Sequence, residues 1–511
     1  MRNSVTPSIR RFDNVFSRAS LCVAVAMGMV LGWLVLAIAP AMPSWSRYKL
    51  VLFLLMGLVY LGTLVVGDVR RVLLVCLALA IPLNLSFAPL SKEVAYHAGG
   101  AQAGVILYPY DFPLIALIAL SLLETLGKRK PIRFSSIDVA AILLIIWTAL
   151  SLYNSSYTRL SVFEILRIAK LYLLARVVAS NVKGRDGQDV LIALLIGLIL
   201  QSVIAALQYT IGLDLDLNMF TVEELRRVSG TVGWPNTFGA YAATILSVGL
   251  ALWILNVGGR FEILVRAACV AGFVSLILSF SRGAWTSLVA GVAIILFLGW
   301  RAARINTRSL AKLTAIALSA AMVGMVFGSS IVTRLTEVRP GMDTLVDRVK
   351  LNQVALNMIG AQPLLGVGIN TFVGVMRQYD TTGVTYYFPQ PVHNVYLLVA
   401  AETGLVGLGL FLLLMLITFW EGVQAAKTDD RFLAACTIGI LSGLVVLAVN
   451  NLADVHLRTD VLYALFWLLI GLVVAMRRMK NLSLPFRGVW REPRGSHVSK
   501  QQRSTLGLGF F

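Results

Sequence analysis

His393 and Asn394 follow Pro389-Gln390-Pro391 and stand immediately before a long apolar run. An imidazole exchanges protons near neutral pH more readily than any other side chain, so His393 at a helix entrance is a candidate general base. Arginines supply the complementary chemistry, anion binding, because a guanidinium presents planar paired donors to phosphate oxygens. The candidates are Arg226 and Arg227 in Arg226-Arg227-Val228-Ser229-Gly230-Thr231, Arg282 in Ser281-Arg282-Gly283, and Arg348 in a hydrophilic segment. Asn236, after Trp234-Pro235, is placed to cap a helix whose free amides would add to an anion site. A further group, Arg159, Glu164, Arg167, Lys170 and Arg176, interrupts a single apolar stretch. Glu164, Arg167 and Lys170 are three residues apart and share one helical stripe. A charge inside a bilayer costs about 2.5 to 3.5 kcal/mol, so Arg167 and Lys170 are expected to line a polar cavity, while Arg159 and Arg176 reach the interfaces. Each residue also has a bland account: an interfacial histidine, solvated arginines, a structural cap, an internal ion pair.

The elements that must hold these residues are membrane helices. Of 511 residues 58% are hydrophobic and 14% charged, against about 45–50% and 25% in soluble domains. Apolar stretches long enough to cross a bilayer predict about fourteen transmembrane helices: 19–40, 49–66, 71–90, 109–126, 136–153, 159–180, 189–211, 236–255, 262–281, 283–300, 311–328, 394–420, 432–455 and 459–476. The chain then divides into a basic tail (1–18), an N-terminal membrane bundle of about eleven spans (19–328), a long outward loop (329–393), three C-terminal membrane helices (394–476) and a second basic tail (477–511). Most Lys and Arg residues fall in the tails and in alternate connections, among them Arg70/Arg71, Lys128 to Arg133, Arg301 to Lys312 and Lys427/Arg431. By the positive-inside rule both termini are expected in the cytoplasm. The net charge of +19 is therefore topological, and nucleic acid, which needs a basic face on a folded module, is not expected as a partner. The amino end looks like a signal peptide, but its apolar run is too long and Pro40 follows Ala37-Ile38-Ala39 directly, so it is expected to remain as the first span. Within the long loop, Leu345, Val346, Val349, Leu356 and Ile359 recur at helical spacing over Asp343 to Gly360 and predict an amphipathic helix on the outer mouth of the bundle.

Other chemistries lack their residues. Cys22, Cys76, Cys269 and Cys436 all lie in apolar stretches with no C-x-x-C pair, so disulfides are not expected. Among outward loops only Asp214-Leu215-Asp216 has a metal-like spacing, and turn roles explain it equally well; no metal or cofactor is expected. No Walker A loop, G-x-S-x-G or dinucleotide fingerprint is present. His97, His456 and His497 carry less weight than His393.

Four segments, taken in order, resemble the O-antigen ligase and O-antigen polymerase superfamily of bacterial envelope glycosyltransferases, mainly over residues 220 to 420. His393-Asn394, nine residues, then Gly404-Leu405-Val406-Gly407 fits the pattern H-[NSQ]-x9-G-x-x-[GTY]. Arg227 to Asn236, Ser279-Phe280-Ser281-Arg282-Gly283 and Pro363-Leu364-Leu365-Gly366-Val367-Gly368 look like the other recurrent segments. The resemblance implies an all-α integral membrane fold of the C-type glycosyltransferase kind, with typically about twelve spans where fourteen are counted here. It implies transfer of a glycan from undecaprenyl diphosphate at the periplasmic face of the bacterial inner membrane. The acceptor would be lipid A core for a ligase or a growing polysaccharide for a Wzy-type polymerase. By this resemblance His393 would be the catalytic base and Arg227, Arg282 and Arg348 would bind the diphosphate; independently of it, Arg226, Arg167, Lys170 and Asn394 are expected to line the cavity. A protein O-oligosaccharyltransferase would be expected to carry a large soluble carboxyl domain, which is not seen; from another class, a polysaccharide or lipid transporter would explain the intramembrane charges.

Overall fold

The computed structural model describes residues 68–86, 104–128, 134–212, 227–257, 259–314 and 345–482. The expected spans 19–40 and 49–66, most of 311–328, both tails, Arg226, Asp214 and Asp216 lie outside the described residues. Regular structure among the described residues is helical: α1 (Val69–Ala80), α2 (Asp111–Lys128), α3 (Ser136–Leu150), α4 (Thr158–Asn181), α5 (Arg185–Ile211), α6 (Pro235–Ile254), α7 (Glu262–Leu278), α8 (Arg282–Arg301), α9 (Leu345–Ala361), α10 (Val395–Ala426), α11 (Arg431–Asn450) and α12 (Asp460–Asn481). Seven helices among the described residues, α3, α5, α6, α8, α10, α11 and α12, are long and apolar enough to cross a membrane. Two expected spans end well short: 432–455 stops at Asn450, and 71–90 stops earlier still. The stretch 71–90 is helical only to Ala80, because Pro82 lacks an amide donor and restricts Ile81 before it.

The basic connections gather at one end of the bundle. There Arg70 pairs with Glu124, Arg71 with Asp189 at 2.5 Å, Arg176 with Asp138 at 2.9 Å and Arg477 with Glu421 at 2.9 Å. α12 runs past its expected end at Met476 because Arg478 and Lys480 cap neighbouring helices, donating to the Val182 and Gln424 carbonyls. At the opposite end Tyr108 donates to Asp460 (2.6 Å), Asn154 to the Gly366 carbonyl (2.9 Å) and Arg348 to the Ala453 carbonyl (2.6 Å). This end holds all the residues described below as a site.

The core is built around α6, whose residues from Phe238 to Leu252 are almost all inaccessible. It packs against α7, α8 and α11. A Cβ on Gly443 of α11 would stand 3.2 Å from Thr244 of α6, so the small residue sets the helix separation, as is usual where apolar burial alone gives no preference. α4 is too charged to rank as an apolar span, and it turns those charges inward: Glu164 and Arg167 are each 3% exposed.

α10 is two helices joined at Gly404, which adopts φ 73° and ψ 176°, a conformation open essentially to glycine alone. The break frees backbone groups, and the segment Pro363 to Gly368 occupies them. Val367 N–H donates to the Ala401 carbonyl (2.9 Å), Gly368 N–H to the Glu402 carbonyl (3.0 Å), and Leu405 N–H to the Pro363 carbonyl (2.8 Å). A Cβ on Gly404 would overlap the Leu364 carbonyl and one on Gly366 the Glu402 carbonyl. Irregular backbone at this depth is tolerated because a second segment satisfies it.

The loop helix exists, at Leu345–Ala361, but four of its five expected stripe residues face outward and only Ile359 packs against the core. The side toward the bundle is Asp347, Leu351, Val354, Ala355 and Met358, while Leu345, Val346, Val349 and Leu356 are exposed. Two apolar stripes of similar strength compete on this helix, and tertiary contacts rather than periodicity choose between them: Asp347 accepts from the Tyr387 hydroxyl at 2.9 Å, which fixes the rotation.

Candidate active site

The turn between α11 and α12 carries the group that organises the site. Asp454 accepts from two partners brought from far along the chain: its Oδ1 lies 3.3 Å from His393 Nδ1 and its Oδ2 accepts from Asn236 Nδ2 at 3.1 Å. Asn236 in turn accepts from Arg227 Nη2 at 2.6 Å, and Arg227 Nε donates to the Ser279 carbonyl at 3.0 Å. A continuous polar chain therefore runs from Ser279 through Arg227, Asn236 and Asp454 to His393. Asn236 is not the cap of α6. The helix begins at Pro235 with Trp234 at the cap position, leaving the Asn236 side chain to bridge Arg227 and Asp454. Asn394, by contrast, caps its own helix, accepting from Tyr396 and Leu397 amides, and this fixes the backbone of its neighbour His393. The Phe388 ring lies nearly parallel to the imidazole, 6.2 Å away.

His456 stands on the far side of Asp454. Sequence alone gives it little weight, yet it is buried, its Nε2 is 2.9 Å from Asn450 Oδ1 and 3.9 Å from Asp454 Oδ2. Burial pushes its imidazole below the ordinary histidine range, and the nearby His393 and Arg348 act in the same direction against the attraction of Asp454. For Asp454, burial favours the neutral acid, but His456, His393 with its hydrogen bond, and Arg348 outweigh it, holding the carboxyl well below the usual carboxylate range. Arg348 is more than a solvated charge: its bond to the Ala453 carbonyl ties α9 to the Asp454 turn.

Arg282 is the first residue of α8, beside this chain. A Cβ on the adjacent Gly283 would be 3.0 Å from Asn450 Oδ1, and Asn450 donates to Ser287 of α8 (3.3 Å) while facing His456. Arg282 makes no side-chain hydrogen bond or ion pair with the described residues. Arg167 and Lys170 take other roles. Arg167 is engaged by Glu164 (2.8 Å), Asp460 (3.5 Å) and the Arg458 carbonyl (3.0 Å). Lys170 pairs with Asp111 at 3.1 Å beneath the rings of Tyr108 and Tyr110. The neighbouring cavity is lined by Glu164, Glu402 and Arg458 instead.

Sequence reasoning misses Asp454, Glu402 and Arg458 and gives His456 too little weight. Arg458 pairs with Glu402 just before the Gly404 break and donates to Asn370 at 3.0 Å, while Glu402 also accepts from the Phe372 amide at 3.1 Å. A signal is present in Asn450-Asn451-Leu452-Ala453-Asp454-Val455-His456-Leu457-Arg458, five polar residues in nine between two apolar runs.

Fold and site together define a multi-pass, all-helical membrane protein with an imidazole–carboxylate pair and arginines at one end of the bundle. Residues 267–412 match the family model described as O-Antigen ligase, which supports a relation of this stretch to the O-antigen ligase and polymerase superfamily. The matched stretch contains Arg282, Arg348, the Pro363 to Gly368 segment and His393, whereas Arg227 and Asp454 lie outside it. Among curated proteins none matches the chain.

Proposed function

We propose that the protein is a glycosyltransferase of the inner membrane that moves a glycan from undecaprenyl diphosphate to an acceptor hydroxyl at the periplasmic face. The observation that carries this reading is the polar chain linking three motif-bearing segments: Arg227 to Asn236, the Ser279 to Gly283 hairpin tip, and His393. If Asp454 holds the Nδ1–H tautomer of His393, Nε2 keeps its lone pair for the incoming hydroxyl. That hydroxyl oxygen attacks the anomeric carbon as Nε2 takes its proton. The bond to the diphosphate breaks with its electron pair going to the leaving oxygen. Arg282 and Arg227, with Arg348 nearby, meet the charge that develops there. One displacement of this kind inverts the anomeric centre. Donor chemistry of this sort needs no resident metal, since guanidinium groups take the place of a cation on the phosphates.

Lipopolysaccharide ligation is the favoured form. The test is a gene deletion complemented with wild type, His393→Ala or Arg282→Ala, resolving lipopolysaccharide and lipid-linked polymer on gels. Bare core-lipid A with accumulating long lipid-linked chains is expected from a lost ligase. Single repeat units with no long chains would mean a Wzy-type polymerase, and polymer untouched by either substitution in stably inserted protein would overturn the glycosyltransferase reading in favour of transport.

A further inference from the structure

A cavity is lined by residues that closely follow His393 and Asp454 in the chain. Val395, Leu398 and Val399 continue α10 inward from His393 to form one wall, and Leu457 and Arg458 continue the Asp454 turn to form another. The cavity volume is about 60 Å³, with one side open, so an occupant would extend outward through the mouth. Leu144, Ile168, Ile369 and Phe411 make much of the remaining wall apolar; of the other polar members, Thr148 and Thr403 donate to the Leu144 and Val399 carbonyls of their own helices and Tyr463 presents its ring, which leaves the two carboxylates and Arg458.

Glu402 is satisfied by Arg458 and by the Phe372 amide. Glu164 is satisfied on one oxygen only. Its Oε1 meets Arg167 at 2.8 Å and Arg458 at 3.9 Å, while Oε2 is buried with no hydrogen-bond partner among the described residues. The side chain is 3% exposed and lines the cavity. Buried carboxylate oxygens are rarely left without a donor, and the residue that carries this one lines a largely apolar space.

We propose that this cavity binds a lipid alcohol: an alkyl or isoprenoid chain ending in one uncharged hydroxyl, whose O–H donates to Glu164 Oε2 while the chain lies along Leu144, Ile168, Leu398, Val399 and Phe411. The other ligand chemistries fit less well. A saccharide carries a hydroxyl on nearly every carbon, and most would face apolar walls without a partner. A phosphate would meet two carboxylates whose guanidinium partners are already committed. An ammonium would approach a carboxylate that two guanidinium groups already attend. The site is distinct from the arginine-bearing side of the Asp454 chain, and it stands whether or not the protein transfers glycans.

The test is photolabelling of the full chain in lipid nanodiscs with a diazirine-bearing 1-octanol, with the modified peptides located by mass spectrometry. Labelling is expected within residues 395–403 or 160–168. Excess 1-octanol should protect about tenfold better than octyl methyl ether, which has the same chain but no donor. Val399→Trp fills the space without removing a polar group and should abolish the protected labelling; Glu164→Gln should shrink the alcohol-to-ether ratio severalfold. Equal protection by alcohol and ether, labelling elsewhere only, or wild-type labelling in Val399→Trp would each overturn the proposal.

Discussion

Gly404→Ala is the substitution that most directly tests how the broken helix is held. Two penalties add. An L-residue at φ 73°, ψ 176° costs about 1–3 kcal/mol in backbone strain. The new methyl also overlaps a backbone atom, the Leu364 carbonyl, which cannot swing aside as a side chain would, so the Pro363 to Gly368 segment must lift away. Lifting it breaks the bonds from Val367 and Gly368 to the Ala401 and Glu402 carbonyls and from Leu405 to the Pro363 carbonyl, and each buried group left unpaired costs about 1–3 kcal/mol. The combined loss is about 4 kcal/mol or more, because the segment will relieve strain only by giving up some of these bonds. The control lies five residues along the same helix: a methyl group on Gly409 would meet nothing within 4 Å, and Gly409→Ala should be neutral or slightly stabilising through helix propensity. Thermal unfolding of detergent-solubilised protein by intrinsic fluorescence, with amide hydrogen exchange at Val367, Gly368 and Leu405, measures both consequences. A Gly404→Ala protein that melts and exchanges like Gly409→Ala would refute the account of the break.

Acid should destabilise the site. His456 has a folded-state pKa below its unfolded value, so the unfolded chain binds more protons below about pH 6.5 and stability falls as pH drops through that range. Asp454, also lowered, contributes stability above the unfolded carboxyl value and loses it only as pH falls further, so neither group gives an alkaline limb. His456→Gln should flatten the decline between about pH 6.5 and 5, and an unchanged melting profile would count against a neutral buried His456. Arg227 and Arg282 should respond differently to lysine. Arg227 uses separate nitrogens for Ser279 and Asn236, which one ammonium cannot reproduce, so Arg227→Lys should lose activity nearly as fully as Arg227→Ala, whereas Arg282→Lys should retain about a tenth or more in the glycan-transfer assay. On α9, Val349→Lys on the exposed face should change stability by under about 0.5 kcal/mol, while Leu351→Lys, which buries an unpaired charge, should prevent recovery of folded protein on size-exclusion chromatography; the reverse outcome would restore the opposite rotation of the helix.

Helices, their approximate limits and the gathering of basic connections at one end are legible in the sequence, since each depends on local composition and on alternation along the chain. The break at Gly404 is partly legible: the spacing from His393 to Gly404 marks the position, but the Pro363 to Gly368 segment that fills it comes from elsewhere. The rotation of α9 is not legible, because both lipid and protein interior accept the same apolar residues; for Arg167 the sequence offers both an internal ion pair and a cavity lining, and only packing chooses the ion pair. Composition and spacing alone establish that this protein spans a membrane and that a histidine and several arginines stand at helix entrances. Asp454, 61 residues beyond His393 and 218 beyond Asn236, joins them only once the chain has folded, because hydrogen bonding depends on which helix ends meet in space, and packing between helices rather than hydropathy along them sets that meeting.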